Sequence, residues 1–259
     1  MTSPLPGKDP VTLDRSPPYV LRIVSDFRPV EAPPGDGSSR ALPPMTKPEI
    51  LDRICAQRLI GIAQADSGRA LAQIARELVT GCINTIELPL TIPAMPEFLK
   101  TALATLKDDI DVCFGLGTVV DTETARRGIL AGASFISTPA LRPAVILLCR
   151  RHQVPVFCGV HSVTEIEAAV AAGADAIKLY PSDDRFGPTH VREIRAHFPQ
   201  LRIFPIGGVT ARNAHDFIAA GADALFVASG LFPLDADDPL RQVPLSTRAQ
   251  NLRNSLASP

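Results

Sequence analysis

No apolar run in the chain is long enough to cross a bilayer as a helix, which excludes a spanning segment. The opening residues, Met1-Thr-Ser-Pro-Leu-Pro-Gly7, lack the apolar centre of a secretory signal. A charge excess of one sign is missing too. The 26 Lys and Arg nearly balance the 27 Asp and Glu, for a net charge of −1 and an isoelectric point near 6.5. No basic field is available to hold nucleic acid or an anionic membrane, so neither is expected as a partner. The five cysteines (Cys55, Cys82, Cys113, Cys149, Cys158) form no Cys-x-x-Cys pair, and the histidines show no His-x-His or His-Glu-x-x-His spacing. The thiols read as reduced, small hydrophobes of a cytoplasmic protein. No metal and no other cofactor is expected.

What is present divides near residue 45. Eleven of the 25 prolines fall within residues 1–50, with Pro-Pro pairs at 17–18, 33–34 and 43–44. Residues 1–45 therefore read as an extended, proline-rich arm, with β character only at 19–27. Thr46-Lys-Pro-Glu49 then has the form of a capping box and opens a short helix to about Gln57.

From Arg58 the pattern becomes regular. Strand candidates occupy 59–64, 85–90, 111–117, 134–140, 154–160, 176–181, 202–208 and 223–229. Helical patterns lie between them at 67–80, 95–106, 122–131, 143–152, 163–172, 189–198 and 211–220, and a last one spans 246–256. Three helices end in Ala-Gly-Ala turns at 131–133, 172–174 and 220–222, with glycine where a left-handed helix stop is expected. Eight strand–helix units predict a (β/α)8 TIM barrel over 46–259, with the first helix capping its N-terminal mouth. A doubly wound open sheet is the alternative. It would carry a Gly-x-Gly-x-x-Gly turn after the first strand, where Ile62-Ala-Gln-Ala-Asp-Ser67 stands instead.

Working residues of such a barrel lie at the C-terminal ends of its strands. Lys178 sits inside the apolar segment Ala176-Ile-Lys-Leu-Tyr-Pro181, and strand alternation sets it on the face opposite Ile177 and Leu179. Burial disfavours an ammonium ion, and a free amine is a nucleophile toward carbonyl carbon. The plainer alternative is a lysine that reaches the surface or pairs with a carboxylate. In Ile86-Glu-Leu-Pro-Leu-Thr91 the same alternation turns Glu87 inward with Thr85 and Pro89, where a carboxylate needs a partner. A purely structural Glu–Lys pair is possible. At the ends of strands three to five, Thr118 offers a hydroxyl and Ser137-Thr-Pro139 leaves room for a ligand. His161 reads as a backbone-bonding residue rather than a catalytic one. Gly207-Gly208 after strand seven and Ala228-Ser229 after strand eight fall where these barrels bind phosphate, near a following helix N-terminus.

Together these segments resemble the class I 2-keto-3-deoxy-6-phosphogluconate and 6-phosphogalactonate aldolases, some of which act on 4-hydroxy-2-oxoglutarate. The resemblance runs from about Arg58 to Phe232. It rests on Ile86-Glu-Leu-Pro-Leu-Thr91, Gly115-Leu-Gly-Thr-Val119, Ile177-Lys-Leu-Tyr-Pro181 and Pro205-Ile-Gly-Gly-Val209. The loop Ser182-Asp-Asp-Arg-Phe-Gly-Pro188 is closer to the phosphogalactonate branch. The resemblance implies a Schiff-base lysine at Lys178, an acid/base glutamate at Glu87, and a pyruvate end lined by Thr118 and Pro139. It implies phosphate binding by Gly207, Gly208 and Ser229, a small keto acid as substrate, and a homotrimer. The family's arginine positions in the substrate site read Gln64 and Thr91, so substrate anchoring is expected to differ. Ala228 adds a methyl where the family has glycine, and Arg142 or Arg185 could supply charge from a loop. Other phosphate-binding barrels, and a non-catalytic barrel served by its arm, are the competing readings.

Overall fold

The computed structural model describes residues 45–106, 110–182, 186–233 and 237–257. The proline-rich arm, its 19–27 segment and Arg185 lie outside the described residues. Helix α1 (Lys47–Gln57) starts with the expected reciprocal contacts: Glu49 Oε2 accepts from the Thr46 N–H at 2.6 Å and from its hydroxyl at 2.8 Å. Arg58, in the left-handed conformation at φ 61°, ends it.

Strand and helix then alternate: β1 (Leu59–Ile62), α2 (Gly68–Thr80), β2 (Thr85–Pro89), α3 (Met95–Leu106), β3 (Cys113–Gly117) and α4 (Thr122–Leu130). They continue as β4 (Phe135–Thr138), α5 (Pro143–Arg151), β5 (Val156–Val160), α6 (Val163–Ala172), β6 (Ala176–Leu179) and α7 (Pro188–His197). The series ends with β7 (Ile203–Pro205), α8 (Ala214–Ala219), β8 (Leu225–Val227) and α9 (Leu245–Ser255). All strand pairs are parallel, in the order β7-β6-β5-β4-β3-β2-β1-β8, and an Ile206–Phe226 bridge joins the two ends. The chain is a (β/α)8 TIM barrel.

Side-chain alternation sorts each strand into two environments. Outward residues such as Ile86, Leu88, Leu116, Ile136 and Ile177 join the shell between barrel and helices. Inward residues build a separate core of Ile60, Ile62, Cys113, Phe135, Phe157, Ala176, Phe204 and Phe226. Its aromatic rings interlock, with Phe157 centred 4.9 Å from Phe135 and 5.0 Å, edge-on, from Phe204. Each such ring contributes roughly 1.5–3 kcal/mol by leaving water, and together they make a dry floor. Helix α1 closes that floor from below with Ile50, Leu51 and Ile54. It is fastened by Lys47 to Asp175 at 2.8 Å and by Arg53 to the Asp111 carbonyl at 2.9 Å. All five cysteines are free. Burial pushes the Cys113 thiol up to about 11 and that of Cys149 up to about 12, so both behave as apolar filling.

Several strands are shorter than the sequence suggests, and the causes are local. Gly207 and Gly208 hold φ of 89° and 77°, which stops β7 at Pro205. Pro139 and Pro181 lack the N–H that would extend β4 and β6. The helix expected over 211–220 begins only at Ala214, because the Asn213 side chain closes a turn by accepting from the Thr210 N–H at 2.8 Å. The Ala-Gly-Ala stops behave as expected, with Gly132, Gly173 and Gly221 at φ 98°, 88° and 104°.

Candidate active site

In an eight-stranded barrel, β2 and β6 face each other across the interior. Glu87 comes from one and Lys178 from the other, and their side chains meet at the centre. Lys178 Nζ lies 2.7 Å from Glu87 Oε1 and 2.9 Å from Oε2. Ser137, from β4 between them, completes a triangle. Its hydroxyl donates to Glu87 Oε2 at 2.5 Å and accepts from Lys178 Nζ at 3.1 Å. The three residues are 1%, 6% and 0% exposed for Glu87, Lys178 and Ser137, so no bulk water screens them.

Glycines make the room. Glu87 is in register with Gly115 on β3, and Lys178 with Gly159 on β5. A Cβ on Gly117 would lie 2.3 Å from Glu87 Cδ and Oε1, and one on Gly159 would lie 2.3 Å from the Pro139 carbonyl. Below the pair, the Phe226 ring is centred 4.4 Å from Nζ and presents its electron-rich face to a cation.

As a fold-holding device this arrangement gains little. Desolvating two charges cancels most of their attraction, and apolar side chains of the same volume would serve as well. An amine, a carboxylate and a hydroxyl buried together at the strand ends can instead trade protons beside an electrophilic carbon. No tryptophan, histidine or metal ligand is needed for that exchange.

The other residues expected in the site fall around the rim above this triangle. Thr118, half-buried, follows β3 with φ 58°, a conformation costly for a β-branched residue and concentrated at functional sites. Pro139 is exposed at the end of β4. Gln64 and Thr91, after β1 and β2, hydrogen-bond to each other, Nε2 to Oγ1 at 2.6 Å. The turns after β7 and β8 are neighbours: a Cβ on Gly230 would lie 3.4 Å from the Val209 carbonyl. Gly208 and Ser229 are exposed there, and Gly208 O accepts from Asn213 Nδ2 at 2.9 Å. The six-residue α8 adds little dipole to this corner. His161 is 3.0 Å from the Tyr180 carbonyl through Nδ1, a backbone contact as expected.

Sequence reasoning read Ser137 only as a small residue that leaves space. The signal was nevertheless available, since Phe135 and Ser137 share the inward face of one strand. Gly117 and Phe226 were overlooked for a different reason: only closure of the barrel shows that one backs onto Glu87 and the other underlies Lys178.

The sequence matches the family described as KDPG and KHG aldolase over residues 50–241. Among similar proteins, the probable 2-dehydro-3-deoxy-6-phosphogalactonate aldolase of Rhizobium meliloti is 30% identical over 80% of this chain and 93% of its own. The 2-dehydro-3-deoxy-phosphogluconate aldolase of Treponema pallidum is 30% identical over 66% of this chain and 79% of its own. Among solved structures, one described as native KDPGal superposes with a TM-score of 0.68 at 25% identity, covering 77% of this chain and 94% of the other. The (β/α)8 barrel, the family match over most of its length and relatives named for one type of carbon–carbon cleavage all agree: this chain belongs to the KDPG and KHG aldolase family.

Proposed function

We propose that the protein is a Schiff-base aldolase that cleaves a 2-keto-3-deoxy-6-phospho sugar acid to pyruvate and glyceraldehyde 3-phosphate. The observation that carries this reading is the buried Lys178–Glu87 contact at 2.7 Å. The three acceptors around Nζ suit an ammonium, so attack begins when a proton passes to Glu87. The freed nitrogen adds to the C2 ketone, and its proton passes to the ketone oxygen. Glu87 gives its own proton to that hydroxyl, which departs as water to leave a protonated imine and an ionised Glu87. Glu87 then takes the proton of the C4 hydroxyl. The C3–C4 bond breaks, its electron pair moves into the C2–C3 bond, and the imine nitrogen accepts the π pair to leave an enamine. The aldehyde departs, Glu87 returns its proton to C3, and hydrolysis of the imine releases pyruvate.

Thr118 and Pro139 line the pyruvate end in this reading, and Gln64 with Thr91 contacts the substrate as a neutral hydrogen-bonded pair. Gly207, Gly208 and Ser229 offer backbone N–H groups and a hydroxyl to the phosphate. The test is a panel of 2-keto-3-deoxy acids in both C4 configurations, with and without the 6-phosphate, assayed for pyruvate release. The phosphorylated acids are expected to give kcat/KM at least about tenfold above the others, the worth of one charge-assisted contact. Faster cleavage of unphosphorylated 4-hydroxy-2-oxoglutarate would assign the second reading of the family name instead. No pyruvate from any member would overturn the proposal.

A homotrimer in the cytoplasm belongs to the same reading. Free thiols suit that compartment. Leu130, Leu147, Val163 and Val170, 47–65% exposed on the successive helices α4, α5 and α6, are apolar side chains that contact with a second copy would cover. Sedimentation should give about three times the 27.6 kDa chain mass. A species of single chain mass would rule the trimer out.

A further inference from the structure

We propose that Ser137 is a positioning residue that holds Glu87 in place once Lys178 has become an imine. The proposal rests on the aldolase reading above. In the resting site Glu87 is held by Lys178 and by Ser137. On its flank lie Gly115 and Gly117, which have no side chains to wall it in. An ammonium has three N–H bonds to give; a protonated imine has one. Conversion of Nζ therefore removes at least two of its three contacts, and Glu87 loses much of what fixes it at the moment it must move protons.

The Ser137 hydroxyl is indifferent to that change. It donates to Oε2 at 2.5 Å whatever the state of the nitrogen, and no solvent competes at a position with 0% exposure. With Oε2 tethered, Oε1 is the oxygen left to face the substrate carbons. The 3.1 Å contact of Ser137 with Nζ belongs to the resting ammonium, and Ser137 is assigned no contact with the substrate carbons. It acts through Glu87, and the result is a carboxylate kept at near-attack distance after its first partner is gone.

Pyruvate alone separates the two stages. Imine formation is read by borohydride reduction of the protein–pyruvate complex. Enamine formation is read by exchange of the pyruvate methyl protons in deuterium oxide. In the exchange, Glu87 takes a methyl proton, the C–H pair enters the C2–C3 bond and the imine π pair moves to nitrogen. Return of a deuteron to C3 reverses each shift.

Ser137→Ala is expected to keep borohydride trapping within about threefold of the parent while exchange falls about 10- to 100-fold, the worth of a hydrogen bond to a charged group. In the cleavage direction kcat should fall with KM nearly unchanged. Ser137→Thr keeps the hydroxyl and should recover most of the exchange, and thermal unfolding confirms that each variant is folded. Equal loss of trapping and exchange in Ser137→Ala, or no loss of either, overturns the role given to Ser137. A parent protein that exchanges nothing and traps nothing overturns the aldolase reading together with it.

Discussion

Lys178→Met is expected to leave no measurable cleavage of any acid in the panel, a loss on the order of 10⁴-fold or more, because Lys178 supplies the nitrogen of the imine. Among the described residues the remaining lysines, Lys47 and Lys100, are far from the triangle. Lys47 is paired with Asp175 at the opposite end of the barrel, and Lys100 with Glu97 on the outer helix α3. Methionine matches the length of the lysine stem, so the barrel should fold. It leaves Glu87 buried with Ser137 as its remaining partner, and stripping a buried charge of its counter-ion costs about 3–5 kcal/mol. Lys178→Met should therefore lower the free energy of urea unfolding by about that amount. Adding Glu87→Gln to the same chain should restore most of it, since the uncompensated charge is gone. Residual aldol cleavage in Lys178→Met would place the nucleophile elsewhere. Unchanged stability would mean that the pair is not buried as described.

Gly117→Ala carries the second large effect. The added methyl would fall 2.3 Å from Glu87 Cδ and Oε1, where no atom can stay. Strand β3 is tied to β2 over five registered pairs, so the carboxylate is what yields. Displacement of about 1 Å at a reacting group costs on the order of 100-fold in rate. Overpacking adds about 1–3 kcal/mol of lost stability. Gly61→Ala is the control. Its methyl would meet the Leu231 Cδ1 terminus at 3.3 Å, a flexible tip that can give way, so activity should persist. A Gly117→Ala enzyme with parental kcat would show that the position of Glu87 does not set the rate.

Lys178 and Glu87 show how much of the site is legible in the sequence. Alternation alone turned Lys178 and Glu87 inward, because each stands between two large aliphatic residues that need the helix-facing shell. It could not show that their atoms meet. That depends on β2 and β6 being opposite strands of a closed barrel, and closure is a property of all eight strands. Ser137 shared the same alternation, yet a serine near a strand end fits a turn, a cap or a ligand site equally well. Its role emerges only from the hydrogen bonds it makes to residues 50 and 41 positions away. Gln64 and Thr91 stand 27 positions apart and become partners through the β1–β2 register that sets Ile62 beside Glu87. The helix boundaries were nearly right where a cap or an Ala-Gly-Ala stop marked them. The start of α8 was not, because an asparagine side chain competed with the helix for the backbone.

Cleavage through an imine requires the Lys178 amine to form a covalent bond with a keto acid inside the barrel. Borohydride reduction in saturating pyruvate, followed by proteolysis and mass mapping, examines that bond directly, and the chain's five lysines make the assignment simple. One reduced pyruvate adduct per chain is expected, on the peptide containing Lys178, and none after Lys178→Met. An adduct on another lysine, or no adduct from a protein that still cleaves its substrate, would contradict cleavage through Lys178.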